Sequence, residues 1–289
     1  MKKKSQYDVY FGNASKMDEL KDGEVSLVVT SPPYYNAPFD YEGLFQDYDE
    51  YLELLKNVAE QLKKKVAPGR IVAIVTDDML VKSRKYPIVA DTTRAFIDAG
   101  FQYREKITWL KPKGYIRISK RSGVVMAYPY PMYYYPDNRQ ESILIFQNGP
   151  YQYEDRKQMS QREQKRNKID LTDYNKGDMY MNTWEITNVL PRKGRLEEGI
   201  AAFPDEIARR LILFFSHLGE TVLDPFLGSG TTMKVAMEMK RNGIGYELDK
   251  SLKPIIRKKI NQANKEKLKI NFKTRKDAKK FRDVVSIKD

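Results

Sequence analysis

The 289-residue chain contains no cysteine and a single histidine, His217. Without thiols there can be no disulfide framework, no Cys-ligated zinc and no thiolate nucleophile. A Ser-His-Asp hydrolase would have to rest on His217 alone. That residue closes the apolar run Leu211-Ile-Leu-Phe-Phe-Ser-His217, where a structural place on a helix is the simpler reading. No apolar run approaches the length of a membrane span, and the Lys-rich start lacks the apolar core of a signal peptide. The expectation is a cytoplasmic protein with no membrane partner and no metal site.

Positive charge is abundant. The formal net charge is +13, and residues 251–289 hold 14 Lys/Arg against 4 Asp/Glu. A polyanion, nucleic acid first, is the natural partner of such a surplus, although a solvated basic face with no ligand has the same composition.

Along the chain, short apolar runs alternate with amphipathic ones. Strands are expected at Tyr7 to Phe11, Val25 to Thr30, Arg70 to Thr76, Phe101 to Leu110 and Glu141 to Gln147. Helices are expected from Asp47 to Lys65, broken by Pro68-Gly69, and over Ile88 to Ala99, ended by Gly100. From Tyr151 to Arg195 the pattern fails, as in a polar insert. Order returns at Phe203-Pro204-Asp205, with Asp205 in position to cap a helix carrying Ile207, Leu211 and Phe214 on one face. This alternation predicts a doubly wound α/β sheet.

Two punctuated strand ends carry the chemistry. In Thr221-Val-Leu-Asp224-Pro-Phe226-Leu-Gly228-Ser-Gly230-Thr231-Thr232, an apolar strand meets an acid, a glycine turn and a hydroxyl-led helix. A phosphate-binding loop would need Gly-Lys-Ser/Thr here, and a dinucleotide fold a glycine where Met233 stands. What remains suits a small adenosine compound without phosphate. Glu247 ends the next strand, 17 residues past Gly230, the place for a carboxylate that accepts from ribose hydroxyls. Asp224 is positioned to receive an ammonium group, directly or through water.

The second strand end is Thr30-Ser31-Pro32-Pro33-Tyr34. Two prolines stiffen the loop and remove neighbouring donors, so its carbonyls and the Ser31 hydroxyl can accept hydrogen bonds from an exocyclic amine. Tyr34 offers a face on which a flat base could stack. Fixed acceptors would aim the amine lone pair at an electrophile, so orientation would supply much of the catalysis.

Together, Thr30-Ser31-Pro32-Pro33-Tyr34 and Asp224-Pro-Phe226-Leu-Gly228-Ser-Gly230-Thr-Thr resemble the bacterial S-adenosylmethionine-dependent DNA amino-methyltransferases. The catalytic stretch precedes the cofactor stretch, as in their circularly permuted β-type group, commonly partners of restriction enzymes. The resemblance covers residues 7–34, 70–147 and 200–250. It implies a Rossmann-like methyltransferase sheet with S-adenosyl-L-methionine held by Phe226, Gly228, Gly230 and Thr231 and by Glu247 at the ribose. It places Phe203 and Pro204 beside the methionine end. Tyr10-Phe11-Gly12-Asn13 matches the family's Gly-Asp near the adenine ring, with Asn13 in place of the acid. Lack of cysteine excludes ring-carbon methylation of cytosine, which needs a thiolate. In that family a serine at the first motif position goes more often with cytosine N4 and an aspartate with adenine N6.

The expected enzyme is thus an S-adenosylmethionine-dependent methyltransferase that acts on the N4 amine of cytosine in duplex DNA, flipping the base out of the stack. Adenine N6 is the alternative, and a non-catalytic nucleic-acid-binding protein with a relict pocket is the reading of another class. Residues 1–150 form the catalytic half, 151–195 a target-recognition insert, 196–250 the cofactor half and 251–289 a basic C-terminal tail. Lys111 to Arg121 and the aromatic stretch Tyr128-Pro-Tyr-Pro-Met-Tyr-Tyr-Tyr135 are further candidates for contacting DNA. A cognate restriction endonuclease and a homodimeric state are open.

Overall fold

The computed structural model describes residues 6–36, 43–82, 84–112, 127–134, 136, 138–151, 158–188 and 203–281. Its strands are β1 (Tyr7–Phe11), β2 (Val25–Thr30), β3 (Val66–Thr76), β4 (Met79–Val81), β5 (Arg84–Tyr86), β6 (Gln102–Leu110), β7 (Gln140–Gln147), β8 (Thr183–Glu185), β9 (Thr221–Asp224), β10 (Asn242–Glu247) and β11 (Ile270–Thr274). Its helices are α1 (Tyr48–Lys65), α2 (Ile88–Asp98), α3 (Gln161–Arg166), α4 (Leu171–Lys176), α5 (Asp205–Phe215), α6 (Thr231–Glu238) and α7 (Lys253–Ala263).

One nine-stranded sheet has the order β11-β1-β10-β9-β2-β3-β7-β6-β8. The six strands from β11 to β3 run parallel, and β7 is antiparallel to both its neighbours. Because side chains alternate across a strand, β2 and β3 feed two cores at once. Val28, Val72 and Ile74 join Val58, Leu62 and Phe96 of α1 and α2 on one face. Leu27, Val29, Ile71, Ala73 and Val75 join Ile207, Leu211 and Val235 of α5 and α6 on the other. The sheet is therefore doubly wound.

The elements follow from local chemistry. In α1, Asp47 caps the first turn by accepting from Glu50 N at 2.9 Å, and Lys63, Lys64 and Lys65 complement the dipole at its end. Its buried residues, Tyr51, Leu55, Val58, Ala59 and Leu62, fall on one stripe.

Four sequence-based expectations change. Pro68-Gly69 does not separate α1 from its strand but lies inside β3, where the register against β2 shifts between Val25 and Leu27. A residue without an N–H cannot extend the ladder, and the irregularity absorbs it. Asp205 is the first helical residue of α5 rather than its cap; Pro204 holds the cap position and the Asp205 carboxylate pairs with Lys234. Residues 251–281, expected as a basic tail, are built into the fold: α7 packs on α6, and β11 pairs in parallel with β1 from Tyr7↔Ile270 to Phe11↔Thr274. The polar insert contains α3, α4 and the edge strand β8. No described helix is long and apolar enough to cross a membrane.

Candidate active site

The strand order reverses direction between β9 and β2, with β10 and β1 lying to one side and β3 to the other. Loops leaving such neighbours diverge and open a crevice at the carboxyl ends of the strands. A cavity of about 280 Å³ lies there, bounded by Ser31, Pro32 and Pro33 after β2, Pro225, Phe226 and Gly228 after β9, Glu247 and Leu248 at β10, and Gly12 to Ser15 after β1. The two stretches singled out in the sequence thus share one pocket.

The glycine turn is tied to β10. Leu227 N donates to Tyr246 O at 2.8 Å, and Gly228 N donates to Glu247 Oε2 at 2.8 Å. Glu247 Oε1 accepts from Asp249 N at 2.8 Å, so the carboxylate is held in place at the cavity edge. Gly230 stands at the cap of α6 with φ +96°, a conformation that an L side chain rarely adopts. Its absent side chain would point toward Ile256 and Ile260 of α7, away from the cavity.

Asp224 has a different place from the one its sequence position suggests. It is 3 % exposed, and Oδ1 accepts from Thr30 Oγ1 at 2.6 Å and from Phe226 N at 3.0 Å. It braces the ends of β2 and β9 and is not part of the cavity wall. Burial pushes its carboxyl up to about 6, against the lowering effect of these donors. Thr232 Oγ1, in the first turn of α6, ties that helix to β2 by donating to Val29 O at 3.2 Å.

Ser31, Pro32 and Pro33 face the cavity, while Tyr34 turns inward with 7 % exposure. The Tyr34 hydroxyl donates to Glu141 Oε2 at 2.8 Å, and Glu141 Oε1 accepts from Lys111 Nζ. Asp77, at the carboxyl end of β3, lies near enough to feel Glu141. Burial first, and then that neighbouring carboxylate, push Asp77 up to about 7. Asn138 donates to Asp77 and completes this polar cluster behind the loop.

Of the other expected residues, Asn13 lines the cavity and accepts from Ser15 N at 2.9 Å through Oδ1. Thr231 is buried at the start of α6 and is not a wall residue. Phe203 packs with Ile207 and Leu211 in the core on the α5 face, and Pro204 is buried beside it; neither lines the cavity. Lys111 and Pro112 are described, and the rest of the Lys111 to Arg121 stretch falls outside the described residues. Tyr128, Tyr130, Tyr133 and Tyr134 are exposed, with the Tyr128 and Tyr133 rings stacked at 5.7 Å.

Several wall residues carry no motif. Leu44, Phe45, Glu50, Glu53, Leu54 and Asn57 come from α1 and the turn before it. Phe45 is clasped by Asn36, whose side chain donates to Phe45 O at 2.7 Å and accepts from Phe45 N at 3.1 Å. Leu44, Phe45, Leu54 and Phe226 offer apolar surface to a flat ring, and Glu50 and Glu53 give the wall negative charge. Such a wall fits an adenosine compound bearing a sulfonium and an ammonium. Among the described residues, no group of three His, Asp or Glu could hold a metal ion.

The insert divides between the two ends of the sheet. Asn167 Oδ1 accepts from Leu218 N at 2.8 Å, and Tyr174 meets Phe214 edge-on at 5.9 Å, so α3 and α4 sit where the strands begin. By contrast β8 runs parallel to β6, pairing Thr108↔Thr183 to Leu110↔Glu185, and it delivers residues 186–188 to the end that carries the cavity.

Comparison with known proteins agrees with this geometry. The model of the N6/N4 DNA methylase family matches residues 25–258. The type II methyltransferase M.MjaI of Methanocaldococcus jannaschii is 34% identical over 89% of this chain and 91% of its own length. A Thermus thermophilus protein assigned as a DNA modification methylase, solved with S-adenosyl-L-methionine, superposes with a TM-score of 0.70 at 24% identity, over 93% of this chain and 99% of that one. The cytosine-N4-specific PvuII DNA methyltransferase gives 0.60 at 19% identity, over 89% and 94%. At these identities the two structures speak for the fold. With strand order, glycine turn, Ser-Pro-Pro-Tyr loop and matched family in agreement, the chain belongs to the N6/N4 DNA methylase family of S-adenosyl-L-methionine-dependent DNA methyltransferases.

Proposed function

We propose that this enzyme methylates the exocyclic N4 amine of cytosine within a specific sequence of double-stranded DNA. The observation that carries the reading is that Ser31, Pro32 and Pro33 line the same cavity as Phe226, Gly228 and Glu247. When bound, S-adenosyl-L-methionine supplies a methyl group on a positively charged sulfur. In this reading Phe226, Gly228, Asn13 and Glu247 bind the cofactor, with Glu247 accepting from the ribose. Ser31 and the loop carbonyls accept the amine N–H groups and draw its lone pair out of conjugation. Pro32 and Pro33 keep those acceptors fixed because their rings lock the backbone, and they bring no N–H to compete for them. Gly230 and Thr231 shape the turn, Asp224 braces it, and Phe203 and Pro204 support the sheet face behind it.

A serine at the first position of the loop, rather than an aspartate, supports cytosine over adenine. The order of the loop before the glycine turn supports the permuted β-type group. The target base must leave the duplex to reach the loop, at a cost of a few kcal/mol. Residues 186–188 leave β8 at the cavity end of the sheet, which favours them for reading sequence over α3 and α4. The type II relatives suggest a companion restriction endonuclease.

Incubation with isotopically labelled S-adenosyl-L-methionine and mixed-sequence DNA, followed by mass spectrometry of the nucleosides, tests the reading. Labelled N4-methylcytosine is expected. Labelled N6-methyladenine would overturn the assignment from Ser31 and keep the site.

A further inference from the structure

The matched family segment ends at residue 258, yet the chain returns to the cavity beyond it. After β11, residues 275–281 cross the carboxyl end of the sheet and are fixed at each step. Arg275 N donates to Phe11 O at 2.8 Å, and its guanidinium donates to Lys16 O at 2.7 Å. Asp277 Oδ2 accepts from Asn13 N at 3.1 Å. Lys279 N donates to Leu248 O at 2.9 Å, and Lys279 O accepts from Lys250 N at 3.0 Å. Phe281 N donates to the buried Asp249 carboxylate at 3.3 Å. The crossing is close enough that a Cβ on Gly12 would lie 2.6 Å from Asp277 Oδ1 and 2.8 Å from Arg275 Cδ, and Gly12 has φ +157°. A side chain at Gly12 would displace these strap side chains and strain the backbone.

This crossing brings Lys279 into the cavity wall beside Gly12, Asn13 and Leu248. Its backbone is bonded on both sides to residues flanking Asp249, just past Glu247, so the side chain starts from a fixed point, with Nζ 5.8 Å from the centre of the Phe281 ring. We propose that residues 275–281 form a permanent strap that completes the adenosine end of the cofactor cavity. Lys279 is a cofactor-binding residue, its ammonium donating to a ring nitrogen or ribose oxygen of the adenosine. The inference rests on the assignment of this cavity to S-adenosyl-L-methionine. An ammonium would be repelled by the sulfonium and the amino group of that cofactor, both cationic, whereas adenine and ribose present acceptors.

The test is calorimetric titration of the full chain with S-adenosylhomocysteine and with 5′-methylthioadenosine, which lacks the amino-acid end. Lys279→Ala is expected to weaken both ligands by the same factor, about 10-fold for a lost charge-assisted hydrogen bond. Lys279→Arg is expected to retain most of the affinity. Lys276→Ala removes the same charge from an exposed strap position outside the wall and is expected to change neither. Wild-type affinity of Lys279→Ala for both ligands would overturn the proposal, and so would a loss confined to DNA binding. A wild-type protein that binds neither ligand would instead sink the assignment of the cavity, and the strap's role with it.

Discussion

The hydroxyl of Thr30 donates a 2.6 Å hydrogen bond to Oδ1 of Asp224, joining strand ends that lie 194 residues apart in the chain. The same oxygen accepts from Phe226 N, so the loop that begins at Ser31 and the turn that begins at Pro225 are tied to one carboxylate oxygen. Thr30→Val should leave a buried carboxylate short of a donor and cost about 1–3 kcal/mol in denaturant-melt stability. Methyl transfer should fall further than cofactor binding, because the loop would lose its register against the turn. Equal losses in both would show that the bond serves stability alone.

Asp224, buried, and Asp77, half-buried, make stability depend on pH in an unusual direction. Asp224 is held at about 6 and Asp77 at about 7, both above the ordinary 3.8 of an aspartate. Between roughly pH 4 and these values the folded protein keeps protons that the unfolded chain has released, so each acid's contribution falls as pH rises. Asp77→Asn should therefore melt with the wild type at pH 4 and above it at pH 8, the gap opening across pH 4 to 7. Thermal melts over that range decide it; a gap independent of pH would contradict the assignment.

Tyr34 is anchored through Glu141, which also holds Lys111. A double-mutant cycle with Tyr34→Phe and Glu141→Gln should give a coupling of about 1 kcal/mol in stability. The transfer rate should show coupling of the same sign. Additive effects would mean that the contact does not set the position of the loop.

Charge near the C-terminus is divided by the course of β11, which runs parallel to β1 toward the cavity end. Lys267 and Lys269 precede this strand and Lys276 follows it. Lys276→Ala should weaken DNA binding and reduce the slope of log K against log[salt] by about 0.9. Lys267→Ala and Lys269→Ala should leave that slope near the wild-type value. A uniform effect of all three would place DNA on a broader surface.

The parts legible in the sequence are those fixed by neighbours along the chain. Gly228-Ser-Gly230 and Ser31-Pro-Pro-Tyr34 punctuate strands, and strand ends mark where a doubly wound sheet opens. The strand and helix order, the shared pocket and the cofactor follow from them. What escapes a sequence reading depends on pairing between distant segments. No local pattern announces that Ile270–Thr274 will pair with Tyr7–Phe11, since a parallel neighbour needs only β character and a crossover of sufficient length. Hence nothing local points to Lys279 in the wall. Leu44, Phe45 and Glu53 are hidden for a related reason: a helix next to a pocket carries the same amphipathic stripe as one packed only on a core. The sequence position of Asp224 allows it to face a ligand, whereas its direction is set by Thr30, and by Phe226 only two residues on.

The most direct test of the account is single-turnover methyl transfer by Pro33→Ala and Tyr34→Ala, with the affinity for S-adenosylhomocysteine measured on the same preparations. The account predicts near wild-type cofactor affinity with transfer reduced about 100-fold or more, because in the proposed reading Pro33 belongs to the loop that orients the amine and Tyr34 anchors that loop from behind through Glu141. Transfer at the wild-type rate in either variant would contradict it.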